Sequence, residues 1–322
     1  MRTHLVFGAL LGAALASASN LNEALAGSVV AWGNNAQGQC NVPSGSDFIA
    51  IAGGDWHGLA LRQDGSIAAW GMNTDLSGNV TGQVSNTPTG TGYVAIAAGQ
   101  WHSLAIRADG SLVAWGGQDA EVRNVPDGND FIAIAAGGAH SLAIHADGSI
   151  VAWGEDTYGQ VSGTPTGHDF LAIAAGDGHS LSMRQDGSLV AWGSAEAGVA
   201  STPASTGFQA ITAGGYHNVA IESDGSLVAW GRNTKGECNV PFGDDFAAID
   251  ASSHGFHTLA LREDGTLAAW GDNTWGQCNV PEGQFAAVGA GLAYSMALTP
   301  EPATLSLLAA GLGATWLKRR RR

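Results

Sequence analysis

The chain has 322 residues, 48 of them glycine, with 45% hydrophobic and only 13% charged residues. That is too apolar for a disordered chain and points to a folded one. Its formal charge of −15 repels nucleic-acid phosphates and anionic lipid headgroups, so no nucleic acid is expected among its partners.

The first element is a leader. Arg2 precedes an apolar run from Leu5 to Leu15 and then small residues in an A-x-A arrangement. This is the layout of a secretory signal peptide over residues 1–18, with cleavage after Ala18 as first choice and after Ala26 as second. Without Arg2 and the five cations at the other end, 7 Lys+Arg face 28 Asp+Glu, about −21.

From residue 27 to 299 one unit repeats. Ala-Trp-Gly recurs at Trp32, Trp70, Trp115, Trp153, Trp192, Trp230 and Trp270, a period near 39 residues. Such a period signals stacked supersecondary units. His57, His102, His140, His179, His217 and His257 each stand 13 residues before a Trp of the series. The block between them, as in HTLALREDGTLAAWG, reads as a β-hairpin whose Asp-Gly supplies the positive φ values of a tight primed turn. A further strand precedes the histidine, as in FIAIAAGG, and GQCNVP is a candidate short fourth. The expected architecture is all-β: a seven-bladed propeller of three- to four-stranded blades. Trp32 lacks a preceding His and Asp-Gly, and the last unit has Tyr294 in the histidine slot and no following Trp. The N-terminal strand therefore completes the blade that the C-terminal hairpin begins, removing the open edge.

The last segment, 300–322, has Pro300-Glu301-Pro302, an apolar stretch from Ala303 to Leu317, and a basic tail. Fifteen residues fall short of the roughly 20 that span a bilayer comfortably. The segment resembles the PEP-CTERM sorting signal of Gram-negative bacteria. The resemblance implies an exosortase partner, transient membrane anchoring, loss of the tail, and a place in the cell envelope or outside the cell. The repeat itself, GxxHSLAL…DGxVxxWG followed by N…GQ, resembles the regulator of chromosome condensation repeat, and its compact period the short-repeat bacterial branch that includes a secreted β-lactamase inhibitor.

GGAHSLAIHADGSIVAWG imitates a serine hydrolase site, with His140, Ser141 and Asp147 close in sequence. A triad needs one unique constellation, whereas this one recurs, with Gly58, Asn218 and Thr258 replacing the serine. The histidines are read as hydrogen-bonding braces inside the blades. No carboxylate or second histidine recurs at a ligand spacing, so no metal is expected, and no cofactor either. Cys40, Cys238 and Cys278 share one slot in three units and are expected free. His145, His168 and His254 are off-pattern and have no evident partner.

Function should lie where the copies differ. The loop before each histidine and the loop after each Trp fall at one end of the molecule, which gathers Trp56, Trp101, Tyr158, Tyr216, Phe256 and Trp275. Clustered aromatics on loops are the composition of binding hot spots. The expectation is an exported binding protein, surface-displayed or matrix-associated, that holds an extracellular protein or polysaccharide. An inhibitor of a secreted enzyme is the alternative, and a polysaccharide-active enzyme a more distant one.

Overall fold

The computed structural model describes residues 26–300. The leader, Glu301, Pro302 and the basic tail lie outside them. Pro300, the first residue of the expected sorting signal, is the buried last residue of a strand. After β1 (Gly27–Gly33) come six three-stranded units. They are β2 (Phe48–Gly53), β3 (His57–Arg62), β4 (Ile67–Gly71); β5 (Tyr93–Ala98), β6 (His102–Arg107), β7 (Leu112–Gly116); and β8 (Phe131–Ala136), β9 (His140–His145), β10 (Ile150–Gly154). Then follow β11 (Phe170–Ala175), β12 (His179–Arg184), β13 (Leu189–Gly193); β14 (Ala210–Ala213), β15 (His217–Ile221), β16 (Leu227–Gly231); and β17 (Phe246–Ala251), β18 (His257–Arg262), β19 (Leu267–Gly271). The last two strands are β20 (Ala287–Ala290) and β21 (Tyr294–Pro300).

All pairing is antiparallel. Five units are separate three-stranded sheets; the sixth sheet has the order β20-β21-β1-β2-β3-β4. Within it β1 pairs with β21 over seven positions but meets β2 only at Gly27↔Phe48. The N-terminal strand thus joins the C-terminal hairpin, as its missing His and Asp-Gly imply. The first strands pack against one another in cyclic order, with β20 against β2. Apolar cores form between neighbouring units: Leu181, Met183 and Leu189 of one pack with Phe208, Ile211 and Ala220 of the next. Each such buried aliphatic or aromatic side chain contributes roughly 1.5–3 kcal/mol.

The repeated polar residues staple these units together. His57 Nε2 lies 2.9 Å from Ser103 Oγ, His102 from Ser141, His140 from Ser180, and His257 from Ser295, each serine belonging to the following unit. His179 reaches Asn218 Oδ1 at 2.9 Å and His217 reaches Thr258 Oγ1 at 2.8 Å. The braces therefore run between blades, not inside them as expected above. Ser295 Oγ donates to the Gln277 carbonyl and Asn218 Nδ2 to that of Val199, so the histidine Nε2–H is the donor to each. Burial pushes the imidazoles down, to about 3 for His57, His140 and His217 and about 4 for His102 and His257. In the seventh slot the longer Tyr294 donates its hydroxyl to the His57 carbonyl at 2.6 Å. The residue after His57 needs no hydroxyl there, and Gly58 leaves room for Trp70, whose ring would lie 2.4 Å from an added Cβ. The glycine three places before the histidine is required by the same packing: a Cβ on Gly137 would sit 2.5 Å from His140 Cε1.

Tryptophan supplies a second staple. Every repeat indole donates to a carbonyl of the loop before its own unit: Trp70 to Gln39, Trp115 to Gln83, Trp192 to Gln160, and Trp32, across the chain ends, to Gln277. The GQCNVP segment is a turn rather than a fourth strand. Asn35 Oδ1 accepts from the Cys40 N–H and Asn35 Nδ2 donates to Asn41 Oδ1. The three cysteines are free and half-buried, and burial pushes their thiols up to about 11 to 12.

The hairpin turn also differs from expectation. Only the glycine has positive φ, +79° at Gly65, while Asp64 does not. The Gly65 N–H donates to the Arg62 carbonyl, and Asp64 Oδ1 accepts from the Ser66 N–H. This is a type I turn with a glycine bulge, in which aspartate acts by hydrogen bonding rather than by dihedral tolerance. At the same end Arg62, Arg184 and Arg262 pair with Asp47, Asp169 and Asp245. Each guanidinium lies 4.2 to 4.4 Å over the ring of Phe48, Phe170 or Phe246.

Candidate binding face

Within a unit the first and third strands run the same way, both antiparallel to the second, and His57 at the start of β3 pairs with Gly71 at the end of β4. The loop before the histidine and the loop after the Trp therefore share one end, as the sequence implied. Tyr158 and Trp275 are each 58% exposed there. Trp56, Trp101, Tyr216 and Phe256 are half-buried. Of the six, Tyr216 and Phe256 come together in a stack with centroids 6.5 Å apart, and Arg232 lies over both rings. Tyr158 packs beside Gly178, where an added Cβ would meet its ring at 2.8 Å. Among the described residues, the ring contacts of this end do not include Trp56, Trp101 or Trp275.

Two apolar side chains of this end escaped the sequence reading. Leu76 and Val80 are 75% and 72% exposed on the long insertion after Trp70. The insertion is ordered around Asp75, which accepts from the N–H groups of Ser77 and Asn79. Their signal was two apolar residues in a loop otherwise composed of turn formers.

The larger omission is His254. Its unit carries two extra residues, since His257 follows Phe246 by 11 positions whereas His140 follows Phe131 by nine. The insertion projects His254 between two other units. His254 Nε2 lies 2.8 Å from Asp177 Oδ1, and Nδ1 lies 3.5 Å from Asp55 Oδ1. Tyr216 donates its hydroxyl to Asp177 Oδ2 at 2.8 Å. His145 and His168 also have carboxylate partners, Asp130 and Asp147. The sequence could not show these partners because they lie in other units or across a turn.

Burial alone would lower the His254 pKa, but the Asp55 charge and the bonds to Asp177 outweigh it and push it up to about 10. The bond to Asp177 pushes the Tyr216 phenol up to about 12. The cluster thus holds an imidazolium between carboxylates, and neither His254 nor Tyr216 is near neutrality to shuttle a proton. Asp55 is 1% exposed and its Oδ1 has no hydrogen-bond partner. Among the described residues no group of three or more His, Cys, Asp or Glu side chains could hold a metal ion. No described helix is long and apolar enough to cross a membrane.

The regulator of chromosome condensation (RCC1) repeat matches residues 48–75, 93–119, 131–160, 170–198, 208–237 and 249–277, just over half of the chain. The chain belongs to the RCC1 repeat family. No curated protein matches its sequence. Among solved structures, Prp20p of Saccharomyces cerevisiae is 17% identical over 90% of this chain and 95% of that one, with a TM-score of 0.69; it is described with binding to Gsp1p and histones. Human WBSCR16 is 16% identical over 84% and 98%, with a TM-score of 0.67. The ectodomain of the Physcomitrella patens receptor kinase CR4 is 25% identical over 76% and 68%, with a TM-score of 0.61. These likenesses give the RCC1 chain at hand its fold: an all-β propeller of three-stranded blades. They do not assign its ligand.

Proposed function

We propose that this RCC1-family chain is an exported binding protein. In this reading it is a closed seven-bladed propeller whose aromatic loop end holds an extracellular protein or polysaccharide. The single observation that supports it best is where symmetry breaks. Histidines, tryptophans and Asp-Gly turns repeat as staples, whereas Tyr158, Trp275, Leu76, Val80 and the His254 bridge occur once each and share one end. Exposed aromatics on a rigid frame form strong anchors, because little conformational entropy is lost when they are covered. The imidazolium that Asp55 and Asp177 hold at His254 favours binding over acid–base catalysis.

Export, exosortase processing and transient anchoring through residues 300–322 are part of the proposal, supported by the order of features at the two chain ends. Inhibition of a secreted enzyme is the second reading. It is favoured by the wide spread of Leu76, Tyr158 and Trp275 over separate loops, which suits a protein surface more than a single glycan chain. A glycan array together with capture from culture supernatant separates the two. A glycan hit supports the matrix role, a single captured enzyme the inhibitor role, and no ligand from either overturns the binding reading.

A further inference from the structure

The first strands of all seven units surround one cavity of about 260 Å³, walled mainly by isoleucine and alanine, among them Ile51, Ile96, Ala135 and Ile173. One ionisable side chain borders it. Asp250 occupies the position that is Ala52, Ala97, Ala135 and Ala174 in other units, each opposite the residue two places after the histidine slot. No lysine, arginine or histidine lines the cavity, and Asp250 forms no ion pair among the described residues. Its Oδ2 accepts from the Ala290 N–H at 2.8 Å, which fixes the carboxylate in place without neutralising it. Ser253 also lines the cavity; it is 4% exposed and its hydroxyl has no partner. The next residue, His254, bonds to Asp177 and lies at ion-pair distance from Asp55, so the insertion that brings Ser253 to the cavity is tied to two other units.

A carboxylate without a counter-charge in an apolar chamber is unfavourable, so on its own the group tends to take up a proton, and a cation beside it favours the carboxylate. The chamber is smaller than the roughly 300–1,000 Å³ of drug-sized pockets, so its occupant has few heavy atoms. The chain's negative charge raises the local concentration of cations. We propose that the axial chamber binds a small organic monocation, a short primary alkylammonium, with Asp250 as counter-ion, Ser253 as hydrogen-bond acceptor and the isoleucine–alanine wall around its apolar body. This site is separate from the aromatic end and does not depend on what that end binds.

The probe is n-butylammonium chloride, with n-butanol and sodium chloride as controls, followed by calorimetry and saturation-transfer NMR on the full chain. Butylammonium should bind saturably at one site, at least tenfold more tightly than butanol, while sodium chloride gives no saturable signal. Asp250→Asn keeps an acceptor for the Ala290 N–H and should fold, yet weaken butylammonium binding at least tenfold. Ala135→Leu keeps Asp250 but fills the chamber, and should abolish binding. Equal binding by Asp250→Asn, equal binding of butanol, or no saturable butylammonium binding to the parent protein would each overturn the proposal. Circular dichroism confirms that both variants fold; if Asp250→Asn does not, Ala135→Leu and the butanol comparison decide.

Discussion

Acidification should unfold this protein well before its surface aspartates titrate, because six imidazoles are held neutral inside it. The ordinary histidine value is 6.5, and burial lowers five of the braces to about 3 or 4 and His179 in the same direction. A group whose folded pKa is depressed contributes stability above its unfolded pKa and loses it as pH falls towards the folded value. The window is therefore from pH 6.5 downward. Each proton taken up on unfolding costs about 1.4 kcal/mol per pH unit, so by pH 5 each of those five histidines has withdrawn about 2 kcal/mol, and the five about 10, with His179 adding in the same direction. Asp250 opposes this. Burial raises it to about 7, so it holds a proton in the folded state that the unfolded chain releases, giving back about 2 kcal/mol over the same range. His254, at about 10, is protonated in both states at pH 5 and contributes no change. The net loss of at least about 8 kcal/mol matches the whole stability of a typical domain, roughly 5–15 kcal/mol. Tryptophan fluorescence and far-ultraviolet circular dichroism against pH should show a midpoint near pH 5 and a slope of about four protons. His140→Gln, which can donate without titrating, should lower that slope by one. A protein that stays native to pH 4, or a slope below two protons, would refute the reasoning.

Two further outcomes follow from the staples and the bridge. Tyr294→Phe removes the bond to the His57 carbonyl that links the last unit to the first; it should cost about 1–3 kcal/mol in denaturant unfolding, and an unchanged midpoint would argue against closure through that contact. Asp177→Asn should bring the His254 pKa down towards 6.5, so its ring resonances, silent between pH 6 and 8.5 in the parent protein, should titrate there by NMR.

The repeat was legible because each staple leaves a residue at fixed spacing: Trp for the loop carbonyl, His for the next unit's hydroxyl, Gly for the ring that packs on it. What each residue touches was not legible. The serine or threonine after a histidine pairs with the histidine of the preceding unit, some 38 to 46 positions away, and local reading placed the bond inside the blade. The turn was misread because Asp-Gly serves both primed turns and bulged type I turns, and only the dihedral of Asp64 distinguishes them. His254 was missed because an insertion of two residues reads as loop noise until its target aspartates, in two other units, are brought across the top. Asp250 hides for a related reason: one acid in an apolar strand gives no sign that the strand borders a shared cavity.

The central claim is that the histidine ring is scaffold and the loop end is the working surface. The direct measurement compares the parent chain, Tyr158→Ala/Trp275→Ala and His140→Gln by glycan array and supernatant capture, with melting temperatures taken in parallel. The account predicts that the double variant melts like the parent but loses ligand by about 1–3 kcal/mol per anchor, while His140→Gln melts lower and its folded fraction binds normally. Undiminished capture by the double variant, or a well-folded His140→Gln protein that binds nothing, would contradict it.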